Sequence, residues 1–152
     1  MNRQQKRILI NFSVVAIVTL AATFGMIELR NHVSYVESDR AMDQLSEMAM
    51  NYKKKNGSFP PESYILQNKD KLEGKVRMGL LVYRARWISF DSPPDTILAY
   101  VTKDYSSLFF HPGAIVVLVD GKVEWMDKET FEKQLKRQQS SLELELEPIQ
   151  KP

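Results

Sequence analysis

Between Ile8 and Ile27 the chain runs for twenty residues, ILINFSVVAIVTLAATFGMI, without a charged side chain. At about 1.5 Å of rise per residue, a helix of that length spans roughly 30 Å, the hydrocarbon thickness of a bilayer. Uncharged apolar runs this long mark membrane spans more often than buried helices of soluble proteins. The polar members are small: Asn11, Ser13, Thr19 and Thr23. Serine and threonine hydroxyls can turn back onto the preceding helical turn. The same four residues are candidates for helix–helix contact in lipid, where an interhelical hydrogen bond contributes about 0.6 kcal/mol.

Arg3, Lys6 and Arg7 precede the run, whereas the residues after it are mixed in sign (Glu28, Arg30, Glu37, Asp39, Arg40). Basic residues resist translocation, so the expected topology keeps residues 1–7 in the cytoplasm, spans the membrane with 8–29 and exports the rest. A cleaved signal peptide is the competing reading, but its apolar region is ordinarily 7–15 residues long. The run is longer than that and lacks a clean small-x-small cleavage site, so a retained signal-anchor is expected.

The chain has 152 residues, leaving room beyond the membrane for one modest domain, expected over 30–139. A net charge of +2 with scattered basic residues gives no argument for nucleic acid. With no cysteine there can be no disulfide or thiolate metal site, and two histidines, His32 and His111, are little material for zinc.

Helical periodicity continues past the membrane. Val33, Val36, Ala41, Leu45, Met48, Ala49 and Tyr52 form an apolar stripe at spacings of three to five. The first stop is Asn56-Gly57 after Lys53, Lys54 and Lys55, followed by Pro60-Pro61. Cations suit the negative end of a helix, and Asn or Gly tolerates the left-handed cap. One helix is therefore expected over about 8–56, its outer half packed on a domain; a stalk or coiled coil is the alternative.

Residues 62–75 read as a short helix or loop. Over 76–90, Tyr83, Ala85 and Trp87 alternate with Arg84 and Arg86, which predicts a half-buried strand with arginines on its wet face, weakened or bulged at Gly79. Ile97–Val101 is a second strand candidate. Ala114–Val119, Asp120-Gly121 and Lys122–Met126 predict a hairpin with a type I′ turn. Asp127 can cap a helix from Lys128 to about Gln139. The remainder, 140–152, alternates leucine and glutamate; it suits an edge strand or, being terminal and proline-bearing, a flexible acidic tail.

Two stretches carry a family resemblance. The helix end, with Tyr52, Asn56-Gly57, Phe59 and Pro60, resembles that of the pseudopilins of type II secretion. The segment His111-Pro-Gly113 through Asp120-Gly121, Val123 and Trp125 is similar to the His…Asp-Gly-x-Val hairpin of pseudopilin-like proteins found mainly in planctomycete-type bacteria. The resemblance implies an α+β fold in which a transmembrane helix continues into a long amphipathic helix on a small antiparallel sheet, with a C-terminal helix. It implies a structural or accessory part of a type II secretion or pilus-like apparatus at a bacterial inner membrane. The domain would be periplasmic, and the partners would be lipid and other pilin-like or secretion-system subunits meeting the N-terminal helix. A prepilin carries glycine before its apolar run and glutamate five residues into it; here Arg7 and Phe12 stand there. The alternative is thus a tethered binding or sensory module that keeps the fold without forming a filament.

For catalysis, His111 with Asp120 is the one tempting pair. Each also has a structural reading: His111 can satisfy a carbonyl of the loop before the hairpin, and Asp120 can bond its own backbone in the turn. Pseudopilins can bind calcium through loop carboxylates, which would fall to Asp91, Asp95 and Asp104. Such sites take six to eight oxygens, and no EF-hand spacing occurs. With no phosphate loop, no Gly-x-Ser-x-Gly and no His-Glu-x-x-His, neither an enzyme, a resident cofactor nor a small-molecule substrate is expected.

Overall fold

In the computed structural model, which describes residues 2–89, 91–105, 109, 111–141 and 143, a single helix, α1, runs unbroken over Arg3–Asn56. It stops where the left-handed residue falls: Gly57 has φ 75° and donates its N–H to the Lys53 carbonyl at 2.8 Å. Beyond it come α2 (Glu62–Lys69), a single turn α3 (Lys75–Met78), β1 (Leu81–Tyr83), a 3₁₀ turn (Ala85–Trp87), β2 (Ile97–Lys103), β3 (Gly113–Leu118), β4 (Val123–Asp127) and α4 (Lys128–Gln138). The four strands form an antiparallel meander in chain order, with a bulge between Ile97 and Ala99. The expected α+β class, with a long helix, a small antiparallel sheet and a C-terminal helix, is what the chain adopts.

Helices cover both faces of the sheet. Ala41, Met42, Leu45 and Ala49 of α1 pack on Ala99, Val101, Ile115 and Val117. On the other face Phe131 of α4 packs on Ile97, Tyr100, Ala114 and Val116. β3 is buried on both sides, which is why its sequence is an unbroken apolar run rather than an alternation. Asp127 caps α4, its carboxylate accepting the Thr130 N–H at 3.0 Å; the Thr130 hydroxyl and then this N–H hold the acid below the usual carboxylate range.

Several expectations need correction. The α1 stripe does not include Val33 or Val36, which are 36% and 40% exposed; Asn31, Ser38 and Ser46 are buried instead. Seven residues are nearly two helical turns, so Asn31, Ser38 and Leu45 share the face toward the sheet, and the valines point away from it. The strand expected over 76–90 shrinks to three residues. Gly79, at φ 81°, turns the chain between α3 and β1, and the Ala85–Trp87 alternation belongs to a 3₁₀ turn.

The hairpin turn is not type I′ either. Gly121 (φ 93°) is left-handed but no described non-glycine residue is, so Asp120 is not. The Gly121 N–H reaches the Leu118 carbonyl and the Leu118 N–H reaches that of Lys122, both at 2.9 Å. Those bonds make a type I turn centred on Val119 and Asp120, followed by a glycine bulge. Most of the expected tail, residue 142 and 144–152, lies outside the described residues. Glu143, within it, is not loose: it is 3% exposed.

Candidate functional site

The apolar run occupies α1 from its second turn. From Ile8 to Met26 every described residue but Ala16 is exposed, Phe12 at 72% and Met26 at 74%, and Ile27 is partly covered. By length and composition this segment can cross a membrane. Arg3, Lys6 and Arg7 are exposed at its start. Of the polar residues within it, Thr19 and Thr23 donate their hydroxyls to the Val15 and Thr19 carbonyls, both at 2.9 Å, and lie on one side of the helix. Asn11 and Ser13 sit about 200° apart around it, so the four do not make one contact stripe.

The hairpin residues converge on α1 at two levels. At the turn, Ser46 Oγ donates to the Gly121 carbonyl at 2.6 Å, and a Cβ on Gly121 would lie 3.0 Å from Met50. At the far end Trp125 meets Tyr35 edge-on, ring centroids 5.6 Å apart, and stacks on Tyr105 at 6.0 Å. Gly113 lies directly against it: a Cβ there would fall 2.4 Å from the Trp125 ring and from the Met126 carbonyl. Val123 pairs with Val117 and packs partly under α1. Asp120 accepts the Lys122 N–H at 2.9 Å, the turn bond expected of it. His111 is exposed just before β3 and Asp120 just after it, so a strand roughly 20 Å long separates the pair. They form no joint acid–base site.

The helix end is equally built in. Asn56 Nδ2 donates to the Tyr52 carbonyl at 3.0 Å, and the Tyr52 ring lies 4.9 Å from that of Tyr64. Tyr83 donates its phenol to the carbonyl of buried Pro60 at 2.9 Å, and burial raises that phenol's pKa. Lys53 Nζ stands 4.3 Å over the Phe59 ring.

Sequence reasoning missed the deepest charged group. Arg84, expected on a wet strand face, is 2% exposed. Its Nε and Nη2 donate to the two Glu143 carboxylate oxygens at 2.6 and 2.9 Å, Nη1 to the Ile97 carbonyl at 2.8 Å, and Nη2 also to that of Gln138 at 3.2 Å. A guanidinium can be buried there because a carboxylate and two carbonyls face it. No local spacing joins residues 84 and 143, so no sequence pattern could have shown the pair. The neighbouring Arg86 guanidinium lies 4.4 Å from the centroid of the Trp87 ring, a cation–π contact.

A second buried cation, Lys103, donates to the Arg77 carbonyl, and burial lowers its pKa. Asp39 is pushed the other way, upward, by burial and then by Asp43 one turn on. Among the described residues no three His, Cys, Asp or Glu side chains gather where they could hold a metal ion. Asp95 turns its backbone carbonyl, rather than its carboxylate, to Gln134 and Gln138 of α4, at 2.9 and 3.0 Å.

No family model matches the chain, and no curated protein or solved structure is detectably similar to it. The residues singled out in the sequence are therefore understood through their contacts. In those contacts Gly121 and Trp125 fasten the hairpin to α1, Tyr52 meets α2 and Pro60 meets β1.

Proposed function

We propose that this chain is a single-pass membrane protein whose head stands outside the cytoplasm and serves a structural role in a pseudopilin-like assembly, without catalysis. The observation that carries the reading is the division of α1. Its first half is apolar and exposed almost to Ile27, while its second half, with no break between, is the backbone of a folded head. Lipid is the natural cover for the first half. Arg3, Lys6 and Arg7 orient it with the N-terminus inside a bacterial inner membrane and the head in the periplasm. Neighbouring pilin-like or secretion-system subunits would meet the first half and the outward face of the second.

Arg7 and Phe12, at the positions of the prepilin glycine and glutamate, favour a second reading: a tethered binding or sensory module with the same fold. Co-expression with a prepilin peptidase followed by intact-mass measurement separates the two. A shortened N-terminus supports assembly, and an unchanged mass supports the tethered module. Protease added outside intact spheroplasts should remove the head in either case; a protected head refutes both.

A further inference from the structure

The cover on α1 extends further down than the sheet does. Trp125 meets Tyr35, eight residues or about 12 Å beyond Ile27, and β3 begins beside it at Gly113. Yet Asn31 is 8% exposed, and Ile27 and Glu28 on the same side are partly covered. The head thus reaches along α1 past the strand ends to the last residue of the apolar run. β2 leaves the sheet at Lys103 and β3 enters it opposite, at Gly113, so the connection between them departs and returns at this near end. Phe109 of that connection is 78% exposed, and the exposed Lys128 begins α4 alongside, its N–H on the Pro112 carbonyl at 3.2 Å.

We propose that this end of the head rests on the bilayer, with Phe109 in the interfacial zone as a second, non-spanning membrane contact. The inference depends on the spanning reading of residues 8–27. Given that reading, the occupant follows from depth. The interfacial layer extends several ångströms beyond the hydrocarbon edge at Ile27, and the head is continuous down to that edge. Aromatic rings are favoured in that layer, and a lysine there faces phosphate headgroups. The head would then be a platform on the membrane with one preferred tilt, and not a body held clear on a stalk.

The chain has no cysteine, so single labels are easily placed. Phe109→Cys, Val18→Cys and Lys55→Cys carry an environment-sensitive fluorophore in the full-length protein, reconstituted in phosphatidylcholine–phosphatidylglycerol vesicles. Val18 is the lipid reference and Lys55 the aqueous one. The expected result at 109 is loss of most fluorescence with shallow nitroxide lipid, and iodide quenching several-fold weaker than at 55. Iodide quenching at 109 equal to that at 55, with Val18 still quenched by lipid nitroxide, overturns the inference and leaves the span intact. Quenching at 109 by neither agent means protein covers the site and overturns it too. A Val18 label untouched by lipid nitroxide removes the spanning reading, and this inference with it.

Discussion

Removing Glu143 strips the Arg84 guanidinium of the only charge that faces it among the described residues. The perturbation is Glu143→Ala. Two of the four hydrogen bonds that the guanidinium donates to described residues end on this carboxylate, and the two side chains are 2% and 3% exposed. The Ile97 and Gln138 carbonyls remain, but they carry no charge. Breaking one side of a buried ion pair costs about 3–5 kcal/mol, because the surviving charge stays desolvated. For a head of this size, at about 4 °C per kcal/mol, that is a fall in Tm of roughly 12–20 °C. Urea denaturation of the full-length protein in nonionic micelles, followed by tryptophan fluorescence, reads the loss and avoids screening by a guanidinium salt. The double variant Arg84→Met/Glu143→Leu removes both charges and should lie within about 1 kcal/mol of the parent, since apolar replacement of a buried pair is often neutral. A loss below about 0.5 kcal/mol for Glu143→Ala, the size of an ordinary surface change, would refute the burial of this pair and the anchoring of residue 143.

Gly113→Ala places a methyl group against the Trp125 ring and the Met126 carbonyl and should destabilise by about 1–3 kcal/mol, with a shift in tryptophan emission. Tyr83→Phe takes the phenol from the buried Pro60 carbonyl and should cost about 1–3 kcal/mol in the same urea assay. Burial holds the Lys103 pKa below its ordinary 10.5, so the unfolded chain binds the extra proton, and stability climbs as pH rises toward that value. Lys103→Met should flatten that climb and be no less stable at pH 7, since Ser38 Oγ still donates to the Arg77 carbonyl at 2.9 Å; a climb that survives the substitution counts against it. The raised pKa values of Tyr35, Tyr83 and Tyr105 add a loss of stability only above pH 10, in both proteins.

What could be read from the sequence was what depends on neighbours in sequence. The membrane-length run, the Gly57 stop, the Asp127 cap and the β3–β4 hairpin are each decided within about twenty consecutive residues, and each lies where it was expected. The errors share a different cause. Val33 and Val36 have the right polarity for a core stripe, but the stripe's rotation is fixed by where the sheet docks, which selected Ser38 and Ser46 and gave their hydroxyls the carbonyls of Arg77 and Gly121. Arg84 alternates with apolar residues as an exposed strand residue would, yet the backbone coils there and a carboxylate from residue 143 closes over it. The Asp120-Gly121 pair signals a hairpin correctly but cannot distinguish a two-residue turn from one with a glycine bulge; Leu118 and Lys122 decide that by pairing. The candidate site suffered most, since His111 and Asp120 are close in sequence and held apart by the strand between them.

The absence of any hinge in α1 has a mechanical consequence. Some 54 residues of continuous helix make a shaft about 80 Å long, rigidly geared to the sheet through Ser46, Leu45 and Tyr35. If lipid holds the apolar end, as proposed, twisting that end must swing the whole head by the same angle. One residue inserted just beyond Ile27 would re-aim it by about 100° and raise it by about 1.5 Å.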